Sequence, residues 1–117
     1  MLLICYPKCS TCQKAKKWLD GKDIVYTERN IAEENPTYEE LKEWYKKSGL
    51  PLKKFFNTSG LLYKSMQLKD KLPDMSEEEQ LKLLATDGML VKRPLVVDGD
   101  TVLTGFREVE WTEKLLS

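Results

Sequence analysis

Leu2-Leu3-Ile4-Cys5-Tyr6 is apolar throughout and gives way at once to Pro7-Lys8-Cys9-Ser10-Thr11-Cys12, where a helical pattern begins. An apolar run without alternation fits a central strand buried on both faces. From Ser10 onward, Cys12, Ala15 and Leu19 share one helical stripe with Trp18 beside it, while Gln13, Lys14, Lys16 and Lys17 lie largely outside. Asp20-Gly21 supplies a stop, and Ile24-Val25-Tyr26-Thr27 reads as a second strand. Strand, helix and strand in that order close by a right-handed crossover, so the two strands are expected to pair in parallel.

The remainder is clearly punctuated. Asn35-Pro36 breaks the chain, and Thr37 to Glu40 has the T-x-x-E spacing of a capping box ahead of Leu41, Trp44 and Tyr45. A helix from about Tyr38 to Lys47, closed by Ser48-Gly49, is expected. Leu52 to Phe56 reads as a short helical turn before the turn-forming Asn57-Thr58-Ser59-Gly60. Ser76 to Glu79 repeats the capping spacing, Leu81, Leu84 and Ala85 give that helix its apolar face, and Asp87-Gly88 ends it. Pro94 to Val97 and Thr101 to Thr104 flank Asp98-Gly99-Asp100, a hairpin signal. Val109, Trp111 and Leu115-Leu116 mark a last helix. With 117 residues and no repeat or linker, the reading is one domain over residues 1–117, with a helical insertion at about 37–88.

Two thiols one helical turn apart at a strand-to-helix junction are a redox arrangement. Cys9 sits near the helix N-terminus, where unpaired backbone N–H groups and the macrodipole favour an anion, so its thiolate is expected below the free-cysteine range. Cys12, at i+3, reaches back to close a disulfide. Cys5 lies inside the strand, where a small apolar residue belongs, and reads as packing. A zinc site from the three cysteines would lack a fourth soft ligand, and no metal is expected. The chain has no histidine, which removes a Cys–His pair, a Ser–His triad and histidine-containing zinc sites. Activation of Cys9 must then come from backbone geometry or a cation.

Lys+Arg and Asp+Glu number 19 each, so no global field draws the chain to nucleic acid or an acidic membrane. Lys53-Lys54 reads as solvated charge, and Trp18, Trp44 and Trp111 as packing on helical stripes. No apolar run approaches a membrane span, and Met1 opens no signal peptide. A cytoplasmic protein is the expectation. In that reducing compartment clustered thiols serve catalysis, redox sensing or metal binding rather than stapling.

The element order is that of a thioredoxin-like α/β fold with a helical insertion: β-α-β, a helical middle, a β-hairpin and a final helix. The chain resembles the ArsC/Spx family of glutaredoxin-coupled arsenate reductases and their redox-regulator relatives. The resemblance runs through Tyr6-Pro7-Lys8-Cys9-Ser10-Thr11-Cys12-Gln13-Lys14-Ala15, Arg29-Asn30-Ile31, Ser48-Gly49-Leu50 and Leu90-Val91-Lys92-Arg93-Pro94-Leu95-Val96-Val97. It implies a mixed four-stranded sheet and a cis Arg93-Pro94 bond that turns the Arg93 guanidinium toward Cys9. Such a cation is a bidentate donor for a thiolate or bound oxyanion. Pro94, Ser10 and Thr11 take supporting places around Cys9, Cys12 and Arg93.

Two departures bear on function. The reductases use one nucleophilic cysteine and three arginines. Cys9 and Arg93 match, but the second arginine falls at Asn57 and the third near Gly105, with Arg107 two places on. Each missing charge-assisted contact forgoes about 1.5–3 kcal/mol of oxyanion binding, so efficient arsenate turnover is not expected. Cys12 stands where these reductases usually carry no thiol, which lets an adduct on Cys9 be cleared internally. A phosphatase-type C-x5-R loop is absent, since position 15 is Ala15.

The resemblance therefore implies an arsenate-reductase-like thiol–disulfide oxidoreductase with no bound cofactor, acting on a small oxyanion or disulfide. Glutathione with glutaredoxin, or thioredoxin, would be its electron donor. The alternative is a Spx-like redox regulator whose Cys9–Cys12 disulfide toggles affinity for the RNA polymerase α subunit. A third, weaker reading is an inactive thioredoxin-like binding module.

Overall fold

A computed structural model describes residues 1–116. Strand β1 (Leu2–Cys5) sits inside a four-stranded mixed sheet of order β2-β1-β3-β4. It pairs in parallel with β2 (Thr27–Asn30) and antiparallel with β3 (Leu95–Asp98). Strand β4 (Thr101–Thr104) closes the hairpin across Gly99, whose φ of 58° suits a two-residue turn.

Alternation along β1 divides the core in two. Ile4 faces a larger cluster built with Ile31, just after β2, and Leu41, Trp44, Phe55, Phe56 and Leu84 from the helical middle. Leu3 and Cys5 face the other side, with Cys12, Ala15 and Leu19 of α1 (Ser10–Gly21) and Trp111 of the last helix. The sheet is thus covered on both faces, as an unbroken apolar strand requires.

Helix α2 (Tyr38–Ser48) and helix α5 (Glu77–Leu84) both start with complete capping boxes, Thr37 with Glu40 and Ser76 with Glu79. Gly49 ends α2 with φ 67°, in the left-handed region. Between them lie a 3-10 turn at Leu52–Phe55 and two short helices, α3 (Leu61–Ser65) and α4 (Leu68–Lys71). The final helix, α6 (Glu108–Leu115), carries Trp111 into the thiol-side core.

Three expectations need correction. The second strand lies at Thr27–Asn30 rather than Ile24–Thr27. Its neighbour on one side is solvent, so a polar segment can serve as the sheet edge, while Val25 is 88% exposed. Asp87-Gly88 does not end α5, which stops at Leu84; Asp87 instead caps a separate turn, Gly88–Leu90, by accepting from the Met89 N–H. Val109 and Leu116 are exposed, so α6 buries a narrower stripe than its apolar residues indicated.

Candidate functional site

Cys9 is the N-cap residue of α1, with extended backbone (φ −89°, ψ 119°), and its own side chain provides no capping hydrogen bond. Its N–H donates to the Tyr6 carbonyl at 3.0 Å, and its carbonyl accepts from the Gln13 N–H at 3.2 Å. A tight turn over Pro7-Lys8 therefore delivers Cys9 from the end of β1 to the mouth of the helix. The side chain is half-buried, while Cys12, one turn on, is fully buried beneath it. Ser10 and Thr11 lie exposed in the first turn.

Three sulfurs rather than two meet here. Cys5 and Cys12 are buried in one cluster that Cys9 packs against, and the Tyr6 N–H donates to the Cys12 Sγ at 3.5 Å. The Cys5 hydrogen bond, assisted by the Tyr6 N–H, the Cys9 thiol and the Arg93 charge, outweighs burial and holds Cys12 down to about 6. Cys5 moves the other way, pushed far above the ordinary thiol range by its hydrogen bond to Cys12 and by burial. With hydrogen bonds shared this closely, proton loss belongs to the set of thiols. Sequence reasoning treated Cys5 as packing; it is buried as expected, in the cluster that also holds Cys12. The parity of β1 was the available signal, because Leu3 and Cys5 must share the face that α1 covers.

Arg93 precedes β3, and the Arg93-Pro94 bond is cis, the isomer the resemblance implied. The guanidinium stacks over the Tyr6 ring, 5.1 Å from its centroid. Among the described residues, its buried Nε and Nη1 have no hydrogen-bond partner. A buried donor left without an acceptor costs about 1–3 kcal/mol, so these N–H groups are chemically suited to accept a partner such as an anion. Pro94 is buried, and its carbonyl accepts from the Gly105 N–H at 2.9 Å.

The helical middle holds this segment in place. The Lys92 N–H donates to the Phe55 carbonyl at 2.8 Å, Phe56 bridges Val91, and the Asn57 N–H donates to the Leu90 carbonyl at 2.7 Å. Position 57 consequently pairs upstream of Arg93. The Asn57 Nδ2 lies over the Gly60 turn, 2.7 Å from where a Cβ on Gly60 would stand. Gly105 has φ 75°, and the Lys92 Cε lies 3.1 Å from its would-be Cβ, so the cation nearest that position is Lys92. Arg107 is exposed at the N-cap of α6. Lys92 was missed by sequence reasoning, since nothing in a linear pattern shows one side chain lying across a glycine twelve or more residues on.

The ArsC family model matches residues 5–114, nearly the whole chain. This chain belongs to the ArsC family. It is 61% identical over 110 residues to the uncharacterized protein YusI of Bacillus subtilis, covering 92% of each. It is 31% identical over 105 residues to the global transcriptional regulator Spx of Staphylococcus aureus, covering 89% of this chain and 78% of that one. A solved structure from Bacteroides fragilis, described as ArsC family related, superposes with TM-score 0.93 at 62% identity, covering 96% and 94% of the two chains. A possible arsenate reductase from Streptococcus mutans gives TM-score 0.85 at 46% identity, covering 91% and 90%. The thioredoxin-like fold and the family are thereby established, and the family contains both reductase-like proteins and regulators.

Proposed function

We propose that the protein is a thiol–disulfide oxidoreductase that reduces a small oxidised substrate, with Cys9 as nucleophile, Cys12 as resolving thiol and Arg93 as the anion-stabilising cation. The observation that carries this is a half-buried Cys9 at the N-terminus of α1 with Cys12 buried one turn on, and a guanidinium stacked on Tyr6, three residues before Cys9, whose Nε and Nη1 have no hydrogen-bond partner among the described residues. Helix N-termini favour negative charge, and Arg93 complements it.

For a disulfide RS–SR, the Cys9 thiolate attacks one sulfur, forming Cys9–S–SR and expelling RS⁻, which takes a proton from water. The Cys12 thiolate then attacks the Cys9 Sγ, closes the Cys9–Cys12 disulfide and expels the second RS⁻. Two electrons pass from the protein to the substrate. For arsenate, Cys9 displaces one oxygen as water, and attack by Cys12 on Cys9 releases arsenite with the same internal disulfide. A dithiol donor such as thioredoxin, or glutathione with glutaredoxin, restores both thiols.

The cations rank these substrates. With Arg93 as the one matching arginine, and Asn57 and Gly105 where the reductases carry the others, a tetrahedral oxyanion has fewer charge-assisted contacts than it needs. Disulfide reduction is therefore the favoured activity. Steady-state assays of both substrates with either donor test the reading, alongside Cys9→Ser and Cys12→Ser. Turnover that Cys9→Ser abolishes supports it, and wild-type protein indistinguishable from buffer contradicts it.

The similarity to Spx supports a second reading, a redox-responsive partner of the RNA polymerase α subunit. It predicts capture of that subunit that changes on oxidation of Cys9 and Cys12, without turnover.

A further inference from the structure

We propose that Tyr6 is the positioning residue for Arg93: its ring holds the guanidinium by the face, so that the N–H edge stays free for an anion at the Cys9 sulfur. The proposal rests on the oxidoreductase reading, in which Arg93 is the anion-stabilising cation, and adds the residue that keeps it in place.

Tyr6 meets all three members of the site. Its carbonyl accepts from the Cys9 N–H at 3.0 Å, its N–H donates to the Cys12 Sγ at 3.5 Å, and its ring centroid lies 5.1 Å from the Arg93 Cζ. The sheet brings the ring and the guanidinium together. Strands β1 and β3 are antiparallel with Ile4 opposite Leu95, and that register continued two residues further sets Tyr6 level with Arg93. Side chains level across an antiparallel pair are close neighbours. Ile4 and Tyr6, two apart along the chain, share a face, and the half-buried Tyr6 packs against the cluster to which Ile4 belongs. The ring is thus anchored by the core of the helical middle.

Stacking is the form of restraint such a cation needs. Among the described residues Arg93 has no ion pair, and its buried Nε and Nη1 have no hydrogen-bond partner. A carboxylate fixes an arginine by consuming its N–H groups, whereas an aromatic face fixes it and consumes none. Left without the ring, a long side chain with many rotamers has little to keep it at the site. The two bonds from Tyr6 to Cys9 and Cys12 are made by its backbone, so replacing the side chain leaves both of them available.

The test is the charge selectivity of Cys9 in the full, reduced chain toward iodoacetate and iodoacetamide, followed by the mass of the Cys9 peptide with no disulfide present. In each reaction the thiolate displaces iodide and gains the CH2 group. A change in the amount of thiolate moves both rates together and cancels in their ratio, leaving the pull of the cation on the anionic reagent. Arg93→Ala is expected to lower the iodoacetate-to-iodoacetamide ratio, and Tyr6→Leu to lower it by about 5- to 30-fold. Tyr6→Phe keeps the π face and is expected to stay within about twofold of wild type. Should Tyr6→Leu fail to fold, Tyr6→Met removes the ring while filling more of its space. A ratio lowered by both Arg93→Ala and Tyr6→Leu upholds the proposal even where no disulfide is turned over. A ratio that Arg93→Ala lowers and Tyr6→Leu leaves unchanged overturns it while the oxidoreductase reading stands, and a ratio that neither moves overturns both the proposal and the role of Arg93. The double variant supplies the second arm: added to Arg93→Ala, Tyr6→Leu is expected to change the ratio no further, and a second fall of the same size means that the ring acts without the arginine and overturns the proposal.

Discussion

Two guanidiniums in this molecule live under opposite rules. Arg29, on the edge strand, is saturated: Nη1 and Nη2 form a fork on Glu40 at 2.7 and 2.9 Å, Nη2 also meets the Asn35 carbonyl at 3.1 Å, and Nε donates to the Glu34 carbonyl at 3.0 Å. Arg93 has Nε and Nη1 buried and, among the described residues, without a partner. Both stand in segments that carry the family resemblance, yet one is a staple and the other is the anion seat proposed above. Glu40 also accepts from the Thr37 N–H, so Arg29 locks the capping box of α2 onto β2 and steadies the approach to the insertion. A saturated cation has nothing left to offer a ligand. Arg93, stacked on Tyr6 with its charge felt at Cys12, keeps such donors.

The sharpest way to break this contrast is to remove the thiol that Arg93 would serve. Cys9→Ser is expected to reduce disulfide turnover to that of a protein-free control while leaving the melting temperature within a degree or two, since a half-buried thiol is replaced by a near-isostere. Measurable turnover by this variant would move the nucleophile elsewhere. Arg93→Ala comes next. Losing one charge-assisted contact to the developing anion should lower kcat/KM by about 10- to 150-fold. Thermal stability should hold or rise, because two orphaned donors leave the interior; a fall would make Arg93 a second staple.

Arg29→Met should do the reverse, lowering folding stability by about 1–2 kcal/mol for a partly screened fork with kcat/KM per folded molecule unchanged. Denaturant titration beside the disulfide assay reads both. The smallest effect is a pH signature. Hydrogen bonding from Arg29 holds Glu40 below the ordinary carboxylate value of 4.5, so its contribution is present above that pH and lost as pH falls through the depressed folded value. The stability gap between wild type and Glu40→Gln is therefore expected to be full at neutral pH and to close with acidification below 4.5. A gap that persists or widens on acidification would mean that the carboxylate is not what Arg29 holds.

Much of this was legible in the chain. Local chemistry announces itself: Thr37-x-x-Glu40 and Ser76-x-x-Glu79 form the reciprocal bonds their spacing implies, and the apolar β1 is covered on both faces. Relations set by burial were not legible. Thr27-Glu28-Arg29-Asn30 has no apolar periodicity because an edge strand is specified by its one neighbour, not by a face of its own. The helices at Leu61–Ser65 and Leu68–Lys71 are too short for a repeat to show. At the site, the strand-to-helix junction marked Cys9 and Cys12, but the hydrogen-bonded Arg29 and the Tyr6-stacked Arg93 look alike in one dimension. The Cys5 contact needed the face of β1 and the stripe of α1 to be read together.

A single-turnover reaction of fully reduced protein with a small disulfide, quenched at intervals by acid and mapped by mass, tests the central claim most directly. Wild-type protein is expected to pass through a mixed disulfide on Cys9 and finish with a Cys9–Cys12 bridge, and Cys12→Ser to stall at the mixed disulfide. A first adduct on Cys12, or a Cys9 adduct that wild-type protein never resolves, would contradict the account.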